Sequence, residues 1–182
     1  NWQTGHHLRT LESLAHVGRH TDAVRSVTVV GEVALSASSD GIVRVWNWQT
    51  GQHLHTLEGH TSTVWSVTVV GEVALSASSD GTVRVWNWQT GQHLLTLEGH
   101  SDEVNSVTIV GDYALSASDD GTVRVWNWQT GQHLRTLEGH SSGVWSVTAS
   151  GDYALSASSD GTVRVWNWQT GAPVRTLGTL GH

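Results

Sequence analysis

The sequence predicts an all-β protein in which one four-stranded unit occurs four times. The phrase Val-Arg-Val-Trp-Asn-Trp-Gln-Thr-Gly recurs at intervals of 40 residues, beginning at Val43, Val83, Val123 and Val163. Val, Thr, Ser and Trp are abundant and glycines recur regularly, as in short strands joined by tight turns. No window shows sustained helical periodicity. A period of this length indicates a supersecondary unit that needs a neighbour to bury its apolar face.

The repeat that begins at His60 shows how each strand is predicted. β-branched residues, a run of small residues, an alternating segment and a final apolar segment predict strands over 64–69, 74–78, 82–86 and 93–97. Gly71, Gly81 and Gly91 lie between these segments and can adopt the positive φ angles of tight turns. Four short antiparallel strands with even spacing are typical of one blade of a β-propeller. An up-and-down barrel or a sandwich also has short strands, but neither predicts a strict period with the same turn chemistry each time.

Composition excludes several classes of function. The chain has no cysteine, so it has no disulfide framework, thiolate zinc site or cysteine nucleophile. The formal charge of −7 does not provide the cationic footprint that a nucleic-acid partner requires. No apolar run approaches the length of a membrane helix and no signal peptide is visible, so we expect no membrane association. We expect a cytoplasmic location.

The repeat resembles the WD40 family. Gly59-His60, Asp80 and Trp86-Asn87 follow the family's order of Gly-His, Asp and Trp-Asp. The last position carries Asn instead of the usual Asp in every repeat, at Asn47, Asn87, Asn127 and Asn167. The match covers nearly the whole chain, and the near-identity of the copies also resembles recently amplified bacterial WD40 arrays.

The resemblance implies a structural hydrogen-bond tetrad in each blade. By the spacing of this sequence, the tetrads are His20, Ser36, Asp40 and Trp46; His60, Ser76, Asp80 and Trp86; His100, Ser116, Asp120 and Trp126; and His140, Ser156, Asp160 and Trp166. A buried indole N–H needs an acceptor, and a serine hydroxyl can accept from it while donating to imidazole. An aspartate can then orient the other ring nitrogen, which satisfies every polar group.

The same residues raise the question of catalysis. Ser, His and Asp are the components of a hydrolase triad, but the trio occurs identically in all four repeats and no Gly-x-Ser-x-Gly elbow surrounds these serines. We therefore predict no catalytic residues, no enzyme activity and no cofactor. His53, His93 and His133 recur along the chain, but equivalent positions of successive blades diverge around the rim. We predict no metal site from them.

Two further repeated positions have alternative interpretations. The second tryptophan of each repeat could stack sugars, or it could pack between blades; the series is Trp48, Trp88, Trp128 and Trp168. The arginine two residues before the tetrad Trp is expected to contact a neighbouring blade or stack on an aromatic ring; the series is Arg44, Arg84, Arg124 and Arg164.

The positions that differ between repeats are the candidate binding residues. In the WD40 family such positions face the top surface around the channel mouth, where partners commonly dock. Here they are Ala23, Arg25, Ser39, Thr63, Trp65, Ser79, Glu103, Asn105, Asp119, Gly143, Trp145 and Ser159. A fixed scaffold with a varied face is typical of a binding module, with Trp65 and Trp145 as exposed anchors for an unidentified protein or peptide. The alternatives are a solvent surface that varies without consequence, a glycan-binding propeller, and a chain without an evolved ligand.

The blade count predicts self-assembly. Residues 1–19 supply an extra outer strand and a junction loop, and blades 1 to 4 occupy 20–59, 60–99, 100–139 and 140–182. Rings of about seven wedge-shaped blades are usual in this family, so four blades are expected to form an open half-ring. Two chains joined head to tail would close one eight-bladed homodimeric ring. We expect the N-terminal strand, 7–11, to enter the partner's last blade and displace the C-terminal strand, 174–177.

Overall fold

A computed structural model describes residues 18–178, which form four antiparallel sheets of four strands each. Blade 1 contains β1 Val24–Val30, β2 Val33–Ser38, β3 Val43–Asn47 and β4 Gln52–Leu57. Blade 2 contains β5 Val64–Val70, β6 Val73–Ser78, β7 Val83–Asn87 and β8 Gln92–Leu97. Blade 3 contains β9 Val104–Val110, β10 Tyr113–Ser118, β11 Val123–Asn127 and β12 Gln132–Leu137. Blade 4 contains β13 Val144–Ser150, β14 Tyr153–Ser158, β15 Thr162–Asn167 and β16 Ala172–Gly178.

Local sequence explains where each strand ends. The first hairpin of blade 1 turns at Gly31, whose φ of 56° is a left-handed conformation that favours glycine. After the third strand of blade 2, Asn87 accepts a hydrogen bond from the backbone N–H of Thr90 at 3.0 Å. An aspartate oxygen would accept the same bond, so the Asn of this chain preserves the turn that the family's usual Asp makes.

Strand order within each blade follows the chain, and each pair of neighbouring strands is antiparallel. The register shifts by one residue between Val85 and Trp86 in the β7–β8 pair, and the corresponding shift occurs in the other blades. This bulge directs the Trp side chain and brings it opposite His93 of the outer strand.

The blades pack through their first strands and through apolar clusters between sheets. β1 lies beside β5, β5 beside β9, and β9 beside β13, which puts the first strands at the inner edge of the arc. The cluster between blades 1 and 2 combines Leu35, Val45 and Leu57 with Val67 and Trp86. Equivalent clusters lie between blades 2 and 3 and between blades 3 and 4. Each blade therefore buries its own face only against the next blade.

A serine in the first strand links each blade to the next. Ser26 accepts a hydrogen bond from the backbone N–H of Val67 at 3.4 Å. Ser66 accepts from Val107, and Ser106 accepts from Val147, at the same distance. The three junctions between blades thus have the same geometry, which provides a template for any further junction.

The C-terminal strand completes blade 4 in the single chain, where β16 pairs with β15 from Ala172 to Gly178. Its displacement by the N-terminal strand of a partner chain stays a prediction. Pro173 lies at the edge of the sheet and opposite the bulge, where the missing N–H costs no ladder hydrogen bond. The predicted N-terminal strand, 7–11, lies outside the described residues. Within 18–178 no helix is long and apolar enough to cross a membrane.

Candidate functional site

Each blade contains a chain of hydrogen bonds that starts at a buried tryptophan. In blade 2, the indole N–H of Trp86 donates to Ser76 Oγ at 2.8 Å, and Ser76 Oγ lies 2.8 Å from His60 Nε2. His60 Nδ1 lies 2.7 Å from Asp80 Oδ2. Ser76 and Trp86 are almost completely buried. All polar atoms along this chain have a partner, so the network can be buried at little cost.

The same order of contacts occurs in the other three blades. In blade 1 it runs Trp46, Ser36, His20, Asp40; in blade 3 Trp126, Ser116, His100, Asp120; and in blade 4 Trp166, Ser156, His140, Asp160. The Trp–Ser and Ser–His distances in these three blades are 2.7 to 2.9 Å. The tetrad is a repeated structural unit.

The aspartate of the tetrad also closes the turn before the third strand. Asp80 accepts hydrogen bonds from the backbone N–H groups of Thr61 and Thr82 and from the Thr82 hydroxyl, the last at 2.6 Å. Burial by itself would raise the pKa of Asp80, but the hydrogen bonds from His60 and Thr82 outweigh it and hold the pKa well below its usual range. Asp80 is therefore a stable carboxylate at neutral pH.

Blade 1 departs from this arrangement: it has Ile42 in place of the threonine and Arg19 in place of the glycine that precedes the tetrad histidine in the other blades. Without the hydroxyl, the Asp40 carboxylate instead receives Arg44 Nη1 at 3.0 Å. In the other blades the equivalent arginine lies over the tetrad tryptophan, as with Arg84, whose guanidinium carbon is 6.0 Å from the Trp86 ring centroid. The arginine series thus stacks on aromatics in blades 2 to 4 and forms an ion pair in blade 1.

The arginine also contacts the glycine that precedes the tetrad histidine in blades 2 to 4, at Gly59, Gly99 and Gly139; blade 1 has Arg19 at the equivalent position. A Cβ atom on Gly59 would lie 2.5 Å from Arg84 Nη1, and the φ of 156° at this residue is itself unfavourable for L side chains. A side chain at this position would therefore require the Arg84 guanidinium group to move away from its place over Trp86.

The serines of the tetrads are poorly suited to act as nucleophiles. Ser76 is buried, accepts a hydrogen bond from an indole N–H and lies against an imidazole. A nucleophile needs an open approach for its substrate, which a buried hydroxyl does not provide. Among residues 18–178 no group of three or more His, Cys, Asp or Glu side chains could hold a metal ion.

The variable residues at the start of the first strand form one pair in each blade. We define the top face as the edge that carries these residues. Arg25 Nε donates to Ser39 Oγ at 2.7 Å, Trp65 Nε1 donates to Ser79 Oγ at 2.7 Å, Asn105 Nδ2 donates to Asp119 Oδ1 at 2.7 Å, and Trp145 Nε1 donates to Ser159 Oγ. The side chains differ, but the geometry is the same in each blade. The residue after the first valine of the first strand donates a hydrogen bond to the residue before the tetrad aspartate.

Contacts between blades then connect these pairs. The guanidinium carbon of Arg25 lies 4.9 Å from the Trp65 ring centroid, a cation–π contact across the first junction. Glu103 Oε2 accepts from Ser79 Oγ at 2.7 Å and from Trp65 Nε1 at 3.3 Å, across the second junction. Trp65 is half-buried with its donor in use, so the expectation of an exposed Trp65 is wrong. Trp145, in contrast, is 56% exposed.

The third junction depends on a glycine. A Cβ atom on Gly143 would lie 2.6 Å from Asp119 Oδ1 and 3.2 Å from the Asp119 Cα. Asn105, which holds Asp119, also donates to the backbone carbonyl of Val144 at 3.1 Å. The variation among these top-face residues is therefore coupled from blade to blade. Sequence reasoning identified the positions but missed the coupling, because the partners are 24 to 39 residues apart.

The second tryptophan of each repeat packs towards the preceding blade. Its indole N–H donates to the carbonyl of the first hairpin of its own blade, as from Trp168 to Gly151 at 2.9 Å. The Trp168 ring lies 5.0 Å from the Tyr113 ring of blade 3, and the two rings help to line a cavity of about 400 Å³ with Leu134 and Arg135. Trp168 is 5% exposed, whereas Trp48 of blade 1, which has no preceding blade within residues 18–178, is 40% exposed.

The outer-strand histidines contact the tetrad tryptophans, which sequence reasoning did not anticipate. His93 meets the edge of Trp86 at a ring distance of 5.1 Å, and His53 and His133 make the same contact with Trp46 and Trp126. Burial, followed by the nearby Arg84, lowers the pKa of His93 below its ordinary value. The contact follows from the register shift at each Trp, which places the tryptophan opposite the histidine and is not visible in the sequence.

Both end faces of the arc are apolar and exposed. On blade 1, Val27 is 64% exposed, whereas the equivalent Val67 of blade 2 is 5% exposed. On blade 4, Leu177 is 44% exposed, whereas the equivalent Leu137 is 1% exposed. We call the first surface, with Val24, Val27, Val29 and Trp48, the leading face. We call the second, with Tyr153, Val174 and Leu177, the trailing face; Tyr153, Val174, Leu177, Val165 and Arg175 line a cavity of about 290 Å³ there.

These four-stranded repeats, with their tetrads and wedge-like packing, define a β-propeller repeat protein. The family model for the WD domain, G-beta repeat, matches residues 8–47, 51–87, 91–127 and 131–167. The chain therefore belongs to the WD40 family. A search among curated protein sequences finds no significant match.

Two solved structures show how the chain compares with other propellers. The computationally designed Ika4 protein is 34% identical with a TM-score of 0.80, and the alignment covers 88% of the present chain and 99% of Ika4. The computationally designed Ika8 protein is also 34% identical with a TM-score of 0.80, over 90% of the present chain. The present chain spans about half of the Ika8 chain, since the alignment covers 51% of it.

Proposed function

We propose that the protein is a non-enzymatic protein-interaction scaffold, which displays a rigid top face and channel rim after two chains join head to tail in one eight-bladed ring. WD40 propellers generally serve as non-catalytic scaffolds, and the buried tetrads give this chain a rigid frame without an open nucleophile. The observation that carries the proposal is the pair of exposed apolar end faces. Each is a copy of a face that is buried at every internal junction.

The internal junctions specify how the two faces fit. Between blades 1 and 2, Leu57 of one blade and Val67 of the next belong to one buried cluster. Leu177 and the partner's Val27 are the equivalent residues at the closing junction. Burial of large aliphatic side chains contributes about 1.5 to 3 kcal/mol each, and each ring has two such junctions. The driving force for closure is therefore the same apolar burial that joins the blades within one chain.

The aromatic and polar contacts repeat as well. Trp168 lies against Tyr113 at the third junction, so Trp48 of one chain is expected to lie against Tyr153 of the other and to cover the cavity beside Val174. Ser146 is equivalent to Ser106, which accepts the N–H of Val147. Ser146 is therefore expected to accept the N–H of the partner's Val27. A twofold axis along the channel makes the two closing junctions identical.

Complementary charges on the two faces test this arrangement. V27R and L177E each introduce a charge into a face that must be buried, so each variant alone is expected to elute as a single chain. An equal mixture has one unmodified junction and one junction with Arg opposite Glu, and is expected to recover twice the chain mass. L94R, on an exposed residue of blade 2, is the control and should leave the wild-type mass unchanged.

An isologous dimer would contradict the head-to-tail proposal. In that arrangement the leading face meets another leading face, so V27R and L177E would not rescue each other. If the V27R variant has the same mass in solution as the wild-type protein, the leading face has no role in assembly.

The alternative function, a glycan-binding propeller that uses the repeated tryptophans, has weaker support. Trp168 is buried against Tyr113, and its N–H already has a carbonyl partner. Sugar stacking needs an exposed ring face. Within this series Trp48 is the most exposed ring, and it lies on the leading face, which the proposed ring would cover. Trp48→Ala would thus weaken assembly under the first proposal and abolish sugar binding without changing the mass under the second.

A further inference from the structure

We infer that the top face of blade 4 contains a binding site for a carboxylate, occupied by a glutamate side chain of an extended peptide in a protein partner. The inference rests on a comparison within the chain. At the junction of blades 2 and 3, Trp65 and Ser79 together hold the carboxylate of Glu103. Blade 4 has the same two groups, Trp145 and Ser159, in the same mutual contact.

The geometry at Glu103 defines what the pair recognises. The Ser79 hydroxyl donates to Glu103 Oε2 at 2.7 Å, and the indole N–H of Trp65 reaches the same oxygen at 3.3 Å while bonding Ser79. Two donors thus converge on one carboxylate oxygen. Hydrogen bonds to a charged acceptor are the stronger kind and favour a carboxylate over a neutral amide.

In blade 4 the donors are present without the acceptor. The Ser159 oxygen accepts from Trp145 Nε1, and within residues 18–178 its hydroxyl hydrogen has no acceptor. Ser159 and Trp145 are both exposed, so the site is open to a ligand from solvent. The equivalent of Glu103 would come from a blade that follows blade 4, and the described residues 18–178 contain no such blade.

Ring closure keeps the site open, and this step rests on the proposed dimer. The position equivalent to Glu103 is then the partner's Ala23, whose methyl group cannot reach Trp145 or Ser159. The two donors of blade 4 therefore remain without an acceptor in the closed ring, and a carboxylate of a partner protein can take the place that Glu103 has beside blade 2.

The chain itself provides a probe. The peptide acetyl-Ser-Asp-Glu-Val-Asn-amide copies residues 101–105, and a second peptide with Gln in place of Glu is its neutral match. The indole N–H signals in an NMR titration of the full chain report binding directly, with Trp145 assigned from W145F. The Glu peptide is expected to move the Trp145 signal in a saturable way, and the Gln peptide at least about tenfold more weakly.

Two serine variants separate the site from the surrounding fold. S159A is expected to weaken binding of the Glu peptide about tenfold. S79A removes the same group where Glu103 already occupies the site, and is expected to leave peptide binding unchanged. Equal responses to the Glu and Gln peptides, or unchanged binding by S159A, would overturn the inference.

A23E distinguishes failure of the site from failure of the ring. In a closed ring the new carboxylate reaches the partner's Trp145 and Ser159, so the Trp145 signal is expected to move towards that of Trp65 and the peptide response to disappear. If the mass is that of one chain and A23E leaves peptide binding intact, the site stands and the dimer is rejected. If A23E moves the NMR signal of Trp145 but the Glu peptide does not bind the wild-type protein, the ring is supported and the binding site for a partner's carboxylate is rejected.

Discussion

At the residue scale, stability depends on polar groups that satisfy one another inside each blade. Ser76 accepts from Trp86 and lies against His60, so a single hydroxyl satisfies two buried side chains. The residue types of this tetrad followed from the sequence, because the repeats place them at constant spacing. The ion pair of Arg44 with Asp40 in blade 1 did not, because it depends on how the arginine side chain packs in the folded blade.

Removal of the central hydroxyl tests the energetic role of the tetrad. S76A leaves the Trp86 indole N–H and the His60 ring nitrogen without their partner in a buried site. Each unsatisfied buried group costs about 1 to 3 kcal/mol, so we expect the free energy of unfolding to fall by about 3 kcal/mol. Denaturant unfolding measures this change, with S101A on the exposed top as the control. A loss as small as that of S101A would contradict the assigned role.

The coupling between Gly143 and Asp119 gives a second prediction. G143A places a methyl group against the Asp119 carboxylate and backbone, and overpacking of this kind costs about 1 to 3 kcal/mol. D119S shortens the obstructing side chain, so the double variant is expected to lose less than the sum of the two single variants. A double-mutant cycle on the free energy of unfolding measures the coupling. Strict additivity would show that the two residues are independent.

At the element scale, each four-stranded sheet could be predicted from the sequence because its turns, alternation and period lie within 40 residues. The predicted segment 64–69 became β5 Val64–Val70, and the predicted 93–97 became β8 Gln92–Leu97. The contacts across the top face could not be predicted in this way. They join residues of different sheets, so their partners are fixed only when the blades pack side by side.

Histidines of the outer strands are expected to make the free energy of unfolding depend on pH. In β8 and β12, burial lowers the pKa of His93 and His133 in the folded protein. The unfolded chain then binds more protons than the folded chain as the pH falls through the ordinary value of about 6.5, so the folded state loses stability below that pH. Replacement of both residues by Gln is expected to reduce the slope of unfolding free energy against pH between about 7 and 5. An unchanged slope would show that other groups cause the pH dependence.

At the scale of the whole molecule, the leading and trailing faces decide how the protein exists in solution. A head-to-tail contact that does not close generates open fibres, whereas a contact with a fixed wedge angle closes into a ring. The three internal junctions repeat one set of aliphatic, aromatic and serine contacts. The same set at a fourth junction, formed twice, completes a ring with two chains.

The absolute mass of the wild-type protein in solution, measured by light scattering after size-exclusion chromatography, tests this claim most directly. We expect a single species with twice the chain mass of 19.7 kDa, at concentrations down to those at which the dimer dissociates. A monodisperse species of one chain mass at every accessible concentration would contradict it.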